Sequence, residues 1–245
     1  MIKDSPALLR TRSSHDILKS ALTAVRPLDA DNTCASVEID PEKPLLIVDV
    51  DEVLALFMHG FGRFVAARGY ELRVDRFALF QNIYRHGESE HLDLASGRTL
   101  FDDFFRFAAE DIDPAPDAAH SLRKLAHAGV TIVVLTNAPP HAREPRSRWL
   151  AKHGMDYPMI INQGVKGAAI AELAARTQKP VAFVDDLIGN LDSAAEAAPH
   201  VSRFQLVADA RLRGLAPCAP DRHRRIDHWP QLYDALAEAL GVNLP

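Results

Sequence analysis

Two aspartates, Asp49 and Asp51, lie at the carboxyl end of an apolar run, and the chain becomes apolar again directly after them in the stretch LLIVDVDEVLALF. An ionised carboxylate loses on the order of several kcal/mol of hydration when it is buried, so two acids in such a run need compensation. A cation together with a phosphate group would supply it. The spacing therefore indicates a site for phosphoryl chemistry.

Short apolar runs, typical of strands that are buried on both faces, alternate along the chain with segments of helical spacing. The predicted strands are Leu45 to Val50, Thr131 to Thr136, Pro158 to Ile161, Val181 to Val184 and Phe204 to Val207. The predicted helices are Asp117 to Ala128, Ala142 to His153, Lys166 to Arg176, Leu191 to Ala198 and Pro230 to Leu240. This alternation favours an α/β fold, a Rossmann-like three-layer sandwich with a mostly parallel sheet.

Polar residues that suit a phosphate site follow the predicted strands. They are Asp49 and Asp51 after the first strand, Thr136 and Asn137 at the end of the second, Lys166 at the start of the helix after the third, and Asp185 and Asp186 after the fourth. Because the carboxyl ends of parallel strands lie at one edge of a sheet, these side chains are expected within reach of one ligand.

About 75 residues separate the first two strands, which is far more than one crossover helix requires. Nine of the eleven phenylalanines fall between Phe57 and Phe107, and their helical spacing predicts a small helical core. In a cap that closes over the site, some of these rings would also line it. We therefore divide the chain into an N-terminal arm (1–43) with an amphipathic segment from Ser14 to Val25, a core (44–56 and 119–245) and an inserted helical cap domain (57–118).

Composition indicates a globular protein, with 47% hydrophobic residues, 25% charged residues and a net charge of -5. The negative charge argues against a nucleic-acid or membrane-surface binder and favours a small soluble ligand. The two cysteines are far apart, and no apolar run is long enough for a membrane span or a signal peptide, so a cytoplasmic location is expected. The sequence does not indicate an oligomeric state.

Four motifs in order, DVDEV, VVLTN, Lys166 and VDDLIGN, resemble those of the haloacid dehalogenase (HAD) superfamily over about residues 44 to 210. The resemblance implies a core with strand order 5-4-1-2-3 in the numbering of the predicted strands. Asp51 favours the phosphatase branch, since the dehalogenase branch lacks this acid. The insertion occupies the position of the family's C1 cap.

The resemblance also implies roles for the motif residues. Asp49 would attack phosphorus and form an aspartyl-phosphate, while Asp51 would protonate the leaving alcohol and later deprotonate water. Thr136 would donate its hydroxyl to a phosphoryl oxygen, with the Asn137 backbone amide beside it. Lys166 would balance the charge of the nucleophile and of the transferring group.

A divalent cation is expected among the acids, and their hard oxygen ligands suit Mg²⁺. The implied ligands are Asp49, the backbone carbonyl of Asp51 and one fourth-motif acid. The motif alignment favours Asp186, with Asp185 as an alternative. Two departures from the family pattern leave the subfamily open, namely Glu52 in place of a small residue and Asn190 in place of the last acid.

Polar residues of the insertion would contact the leaving group, although each one is more commonly a solvated surface residue. The candidate substrate-binding residues are Asn137, Arg63, Tyr84, Arg85 and His86, followed by Glu88, His91, Arg98, His59 and Arg143. The expected function is a Mg²⁺-dependent phosphohydrolase acting on a small-molecule phosphomonoester. The alternatives are a phosphomutase or phosphotransferase with the same residues, a HAD-fold binding protein without turnover, and a receiver-type module, whose motif order differs and which has no cap.

Overall fold

The computed structural model describes residues 33–243. Most of the N-terminal arm, including the predicted segment from Ser14 to Val25, lies outside the described residues. The described end of the arm forms a 3-10 helix, Cys34–Ser36, and buries Val37 and Ile39 against one face of the sheet. Arg176 Nη1 donates to the carbonyl oxygen of Cys34 at 2.6 Å. This part of the arm therefore packs on the predicted core.

Eight strands and eight α-helices occur within residues 33–243. The strands are β1 (Leu45–Val48), β2 (Tyr70–Leu72), β3 (Ile83–Arg85), β4 (Thr131–Asn137), β5 (Met159–Asn162), β6 (Val181–Asp185), β7 (Ser202–Gln205) and β8 (Arg224–Arg225). The helices are α1 (Phe57–Ala66), α2 (Leu94–Phe107), α3 (Ala118–His127), α4 (Arg143–Lys152), α5 (Gly167–Ala174), α6 (Ile188–Ala197), α7 (Ala210–Arg213) and α8 (Trp229–Leu240). None of these helices has the length and apolar character needed to cross a membrane.

The central sheet has six parallel strands in the order β5-β4-β1-β6-β7-β8. The α/β class is confirmed, and the five strands expected from the sequence occur in the expected order. The sheet differs from the prediction in its sixth strand, β8, which lies at the edge. Its two residues are both arginines, so no apolar run indicated a strand there.

Helices cover both faces of the sheet. Leu45 and Ile47 of β1 point to one face and pack with α5 and α6, whereas Leu46 and Val48 point to the opposite face, which α3, α4 and α8 cover. Helices α3 and α4 end within one residue of the predicted ends, Ala128 and His153, and the glycines that follow, Gly129 and Gly154, adopt left-handed conformations at φ 91 and 71. The result is the expected three-layer sandwich.

The insertion between β1 and β4 contains α1, β2, β3 and α2. Its aromatic core is as expected, because the Phe104 ring contacts the rings of Phe57, Phe61 and Phe64 edge-on at centroid distances of 5.4, 5.5 and 5.4 Å. The insertion is not helical throughout, because β2 and β3 add an antiparallel pair to its helices. Leu72 of β2 packs against Gly62 of α1, and this tertiary contact was not apparent from the short segment.

Candidate active site

A tight turn follows β1 and holds Asp49 at the carboxyl edge of the sheet. The Asp49 backbone N–H donates to the carbonyl oxygen of Val184 in β6 at 3.0 Å, which extends the pairing of the two strands. The carbonyl oxygen of Val50 then accepts from the backbone N–H groups of Leu54 and Ala55 at 2.8 and 2.9 Å. The turn reverses the chain at once, so the Asp49 carboxylate, only 8% exposed, lies at the strand end.

Lys166 directly precedes α5 and is buried between two carboxylates. Its Nζ lies 2.6 Å from Asp49 Oδ1 and 2.6 Å from Asp185 Oδ2. Burial lowers the pKa of Lys166, but the two carboxylates raise it by more, so the pKa lies above its ordinary value. The amine therefore remains protonated and neutralises one carboxylate charge.

Asp49, Asp185 and Asp186 form a buried acidic cluster. One carboxylate oxygen from each lies within 4.8 Å of the others. Burial raises the pKa of Asp186 well above its ordinary value, and repulsion from Asp185 and Asp49 raises it further. Lys166 offsets one of the three negative charges, so a divalent cation would balance the remaining two. Three carboxylates at this separation suit a divalent cation that prefers oxygen ligands.

Asp185 and Asp186 differ in how their carboxylates are engaged. Asp185 accepts from Lys166 Nζ at 2.6 Å, from the Leu187 backbone N–H at 2.9 Å and from Asn190 Nδ2 at 3.0 and 3.2 Å. Within residues 33–243, Asp186 has a hydrogen bond only through its carbonyl oxygen, which accepts from Gln205 Nε2 at 2.9 Å. Its carboxylate is therefore the one available to a cation, and Asp185 orients Lys166.

Thr136 and Asn137 end β4 beside the acids. Thr136 is fully buried, and within the described chain its hydroxyl oxygen has no hydrogen-bond partner. A buried hydroxyl without a partner is costly, and a ligand oxygen would satisfy it. Asn137 Nδ2 donates to the carbonyl oxygen of Gly164 at 2.9 Å, and its Oδ1 accepts from Asn162 Nδ2 at 2.8 Å. The Asn137 side chain thus fixes the loop that leads to Lys166.

Asp51 is paired with Arg146 of α4. Arg146 is fully buried, and its Nη2 donates to both carboxylate oxygens of Asp51, at 2.8 and 2.9 Å. Burial raises the pKa of Asp51 to about 6, while the Arg146 cation acts in the opposite direction. The Asp51 side chain remains 22% exposed toward the cavity. The pair therefore holds Asp51 in one orientation at the site.

Glu52 connects the turn to the insertion rather than to the acids. Its backbone is left-handed at φ 59, a conformation that favours glycine. One carboxylate oxygen accepts from the backbone N–H of Met58 at 2.8 Å, and the other accepts from that of Asp209 at 3.3 Å. Burial is the largest cause that raises its pKa to about 8. Glu52 therefore satisfies an N–H group in the first turn of α1.

A cavity of about 220 Å³ lies over these residues, between the core and the insertion. Its polar lining comes from the site residues, namely Asp49, Asp51, Glu52, Asn137, Lys166, Asp186 and Asn190, together with Arg98 from α2. The remaining lining is apolar and comes from Phe57, Met58, Phe77, Ala78, Leu79, Phe80, Phe101, Leu187 and Leu212. The structure thus brings the acids and the insertion to one enclosed space.

Two of the candidate substrate-binding residues expected from the sequence, Asn137 and Arg98, line this cavity. Arg63, Tyr84, Arg85 and His86 are not among the described residues that line it. Arg63 instead pairs with Asp113 at 2.7 Å. Tyr84 is buried under the Arg73 guanidinium, Arg85 lies over the Tyr70 ring, and the His86 side chain is 85% exposed.

These four residues lie away from the cavity for a physical reason. They belong to or adjoin α1 and the β2–β3 pair, and the orientation of that pair turns them away from the cavity. The loop that connects β2 and β3 faces the acids instead and contributes apolar residues. Candidates chosen for their polar side chains do not include such residues. Glu88, His91, His59 and Arg143 also lie outside the described lining.

Arg146 was missed because α4 lacks an apolar stripe. Its segment, REPRSRWLAK, contains three arginines and reads as a solvated helix. One signal was present, because Arg146 precedes the buried residues Trp149 and Leu150 by three and four positions and so shares their face. An arginine on the buried face of a helix needs an anionic partner, and Asp51 is that partner.

Comparison with known proteins supports the fold. No protein-family model and no curated protein matches the sequence. A HAD family hydrolase from Deinococcus radiodurans with bound phosphate and sodium matches with a TM-score of 0.57 and 17% identity, over 84% of this chain and 100% of that one. A protein from Thermotoga maritima, named provisionally as a beta-phosphoglucomutase, matches with a TM-score of 0.52 and 15% identity, over 80% and 100%.

A third solved structure, a Bacillus subtilis protein named provisionally as a HAD hydrolase and bound to magnesium, also matches. Its TM-score is 0.52 and its identity 14%, over 80% of this chain and 99% of that one. At these identities the comparisons show the fold, and the chain therefore has the fold of the HAD hydrolases. The resemblance noted in the four sequence motifs is confirmed at that level.

Proposed function

We propose that the protein is a Mg²⁺-dependent phosphohydrolase that cleaves a small-molecule phosphomonoester through an aspartyl-phosphate on Asp49. The observation that carries this proposal is the position of Lys166, which lies 2.6 Å from both Asp49 and Asp185 beside the available carboxylate of Asp186. Such a cluster lacks one divalent cation for charge balance, and within residues 33–243 the Thr136 hydroxyl lacks a partner that a phosphoryl oxygen would supply. The HAD-hydrolase fold adds support, as does the phosphate bound by the Deinococcus radiodurans protein.

In the first step, a carboxylate oxygen of Asp49 attacks phosphorus and the bond from phosphorus to the ester oxygen breaks. Asp51 donates a proton to the departing oxygen. Thr136 donates its hydroxyl to a phosphoryl oxygen, and Lys166 offsets the negative charge on the transferring group. In the second step, water attacks phosphorus and gives a proton to Asp51. The bond from phosphorus to the Asp49 oxygen breaks, which releases inorganic phosphate and restores Asp49.

Asp49, Asp186 and the backbone carbonyl of Asp51 would hold the Mg²⁺ ion. When bound, the ion neutralises charge on the acids and on the phosphoryl oxygens. Asp185 takes a supporting role, because its carboxylate is already engaged by Lys166, Leu187 and Asn190. Residues 57–118 act as an inserted cap, which excludes water from the site and restricts it to small esters.

A phosphomutase or phosphotransferase remains the second candidate, favoured by the name of the Thermotoga maritima structure. It would use the same residues and return the phosphoryl group to an acceptor alcohol rather than to water. Product analysis separates the two, because a hydrolase releases inorganic phosphate without forming a phosphorylated acceptor. A binding protein without turnover is less well supported, since the Glu52 carboxylate accepts from Met58 and Asp209 rather than occupying the acidic cluster.

A panel of phosphate esters, assayed with Mg²⁺ and with EDTA, tests the proposal. We expect phosphate release with Mg²⁺ and a loss of at least about 100-fold with EDTA or with Asp186→Asn. Asp221→Asn is the matched control, because Asp221 is 75% exposed and does not line the cavity. The absence of phosphate release from every ester would overturn the enzymatic assignment.

A further inference from the structure

The wall that faces the acids is nearly devoid of hydrogen-bonding side chains. The insertion contributes eight described residues to the cavity lining, of which seven are apolar and one, Arg98, is charged. The seven are Phe57, Met58, Phe77, Ala78, Leu79, Phe80 and Phe101. Leu187 and Leu212 extend the apolar surface on the core side. The part of a substrate that leaves the phosphoryl group would therefore contact mainly hydrocarbon.

The wall is a packed structure rather than a loose loop. The Phe80 ring lies so close to α2 that a Cβ on Gly97 would be 2.9 Å from its Cδ1 atom. Asn82 is fully buried, and its Nδ2 donates to the carbonyl oxygens of Arg76 and Ala78 at 2.9 and 2.7 Å. These contacts fix residues 76–82 from beneath. The apolar surface is therefore preformed, and the carbonyl oxygens of Arg76 and Ala78 are engaged within the loop.

A polyhydroxylated leaving group does not suit such a wall. A sugar hydroxyl placed against the seven apolar residues would lose its hydrogen bonds to water without gaining a side-chain partner from them, which weakens binding by about tenfold or more. A hydrocarbon group has the opposite preference, because its transfer from water to an apolar surface is favourable. The four phenylalanines also provide faces and edges for contact with a ring.

We propose that the substrate is a phosphomonoester of a mainly hydrocarbon alcohol, carrying an aromatic ring or a compact alkyl group, and not a sugar phosphate. This inference rests on the proposed function. It also separates the two enzymatic candidates, since a sugar phosphomutase would need hydroxyl partners along this wall. The chemistry is that of the proposed steps, in which the alcohol leaves with a proton from Asp51 and water supplies the oxygen of the released phosphate.

Benzyl phosphate and glucose 6-phosphate form a suitable test pair, because both are esters of primary alcohols and differ mainly in the polarity of the leaving group. We expect kcat/KM for benzyl phosphate to exceed that for glucose 6-phosphate by about 100-fold with Mg²⁺. Equal or better turnover of glucose 6-phosphate would overturn the inference and leave the proposed function intact. If no ester of the panel releases phosphate, these two included, the proposed function itself fails.

A variant of the wall tests its role directly. Leu79→Asn places an amide where the alkyl side chain lines the cavity. We expect the ratio of kcat/KM for benzyl phosphate to kcat/KM for glucose 6-phosphate to fall by about tenfold. Phe107→Asn is the control, because Phe107 belongs to the same insertion, is 70% exposed and does not line the cavity. If Leu79→Asn unfolds, as judged by circular dichroism, Leu79→Ala replaces it with an expected fall of a few-fold. An unchanged ratio in a folded variant would overturn the assignment of the wall.

Discussion

Arg146 Nη2 donates to both carboxylate oxygens of Asp51, at 2.8 and 2.9 Å, from a fully buried position in α4. The pair joins the proposed acid/base to a helix outside the four motifs. Arg146 touches no substrate in the proposed mechanism. It is therefore a positioning residue, whose effect on the reaction passes through Asp51.

Replacement of Arg146 should impair turnover more than substrate binding. Arg146→Met removes the guanidinium that orients Asp51, so we expect kcat to fall about 10- to 100-fold with a smaller change in KM. Arg146→Lys keeps the charge and should recover part of this loss. Arg148→Met is the control on the same helix, since its side chain is 57% exposed. Wild-type kcat in folded Arg146→Met would show that the pair has no positioning role.

The left-handed backbone of Glu52 can be separated from the contacts of its side chain. Glu52→Ala keeps the strained φ and loses both backbone donors, so we expect the free energy of unfolding to fall by about 2 kcal/mol. Glu52→Gly loses the same contacts but relieves the conformation, and should be about 1 kcal/mol more stable than Glu52→Ala. Urea unfolding measures both variants. Equal stabilities would contradict the assigned strain.

The raised pKa of Glu52 predicts a pH dependence of stability. Burial raises this pKa from 4.5 to about 8, so folding favours the protonated carboxyl. The associated stability is fully present below pH 4.5 and is lost as the pH rises through about 8. Relative to Glu52→Gln, the wild-type protein should lose up to about 1.4 kcal/mol per pH unit within that window.

Urea unfolding in EDTA, at several values between about pH 5 and pH 8, tests this dependence. EDTA keeps divalent ions from altering the titration of the neighbouring acids. The quantity to follow is the difference in the free energy of unfolding between the wild-type protein and Glu52→Gln. A difference that stays constant across the range would contradict the raised pKa.

A close helix contact should make Gly167 intolerant of a side chain. A Cβ at this position would lie 2.3 Å from the carbonyl oxygen of Ser193, so α5 and α6 would have to separate. We expect Gly167→Ala to lower the free energy of unfolding by about 1–3 kcal/mol and to reduce activity, because Lys166 is the preceding residue. Gly214→Ala is the control, since no heavy atom lies within 4 Å of the Cβ position there. Similar stability of the two variants would contradict the packing argument.

The strand-end residues could be placed from the sequence because a parallel sheet gathers them. Asp49, Thr136 and Asp185 each end a short apolar run, and the pairing of β1 with both β4 and β6 brings those ends together. The position of Lys166 followed from the helix after β5. The positions of these residues at strand ends therefore predicted the assembly of the acids, whereas the order of the strands in the sheet was implied by the resemblance to the HAD superfamily.

The remaining features depend on tertiary contacts that spacing does not encode. The pairing of Arg146 with Asp51 requires the rotation of α4 relative to the turn after β1. The apolar wall depends on which end of the β2–β3 pair faces the core, so the polar residues chosen from the insertion point elsewhere. Glu52 appeared as an extra acid near the site, whereas its carboxylate accepts from Met58 and Asp209.

The central claim is that Asp49 carries the phosphoryl group. Acid quenching during turnover of a ³²P-labelled ester, followed by proteolysis and mass spectrometry, tests it directly. We predict label on the peptide that contains Asp49, together with loss of both label and turnover in Asp49→Asn and retention of both in Asp221→Asn. Phosphate release without a labelled Asp49 peptide, or undiminished turnover by Asp49→Asn, would contradict the mechanism.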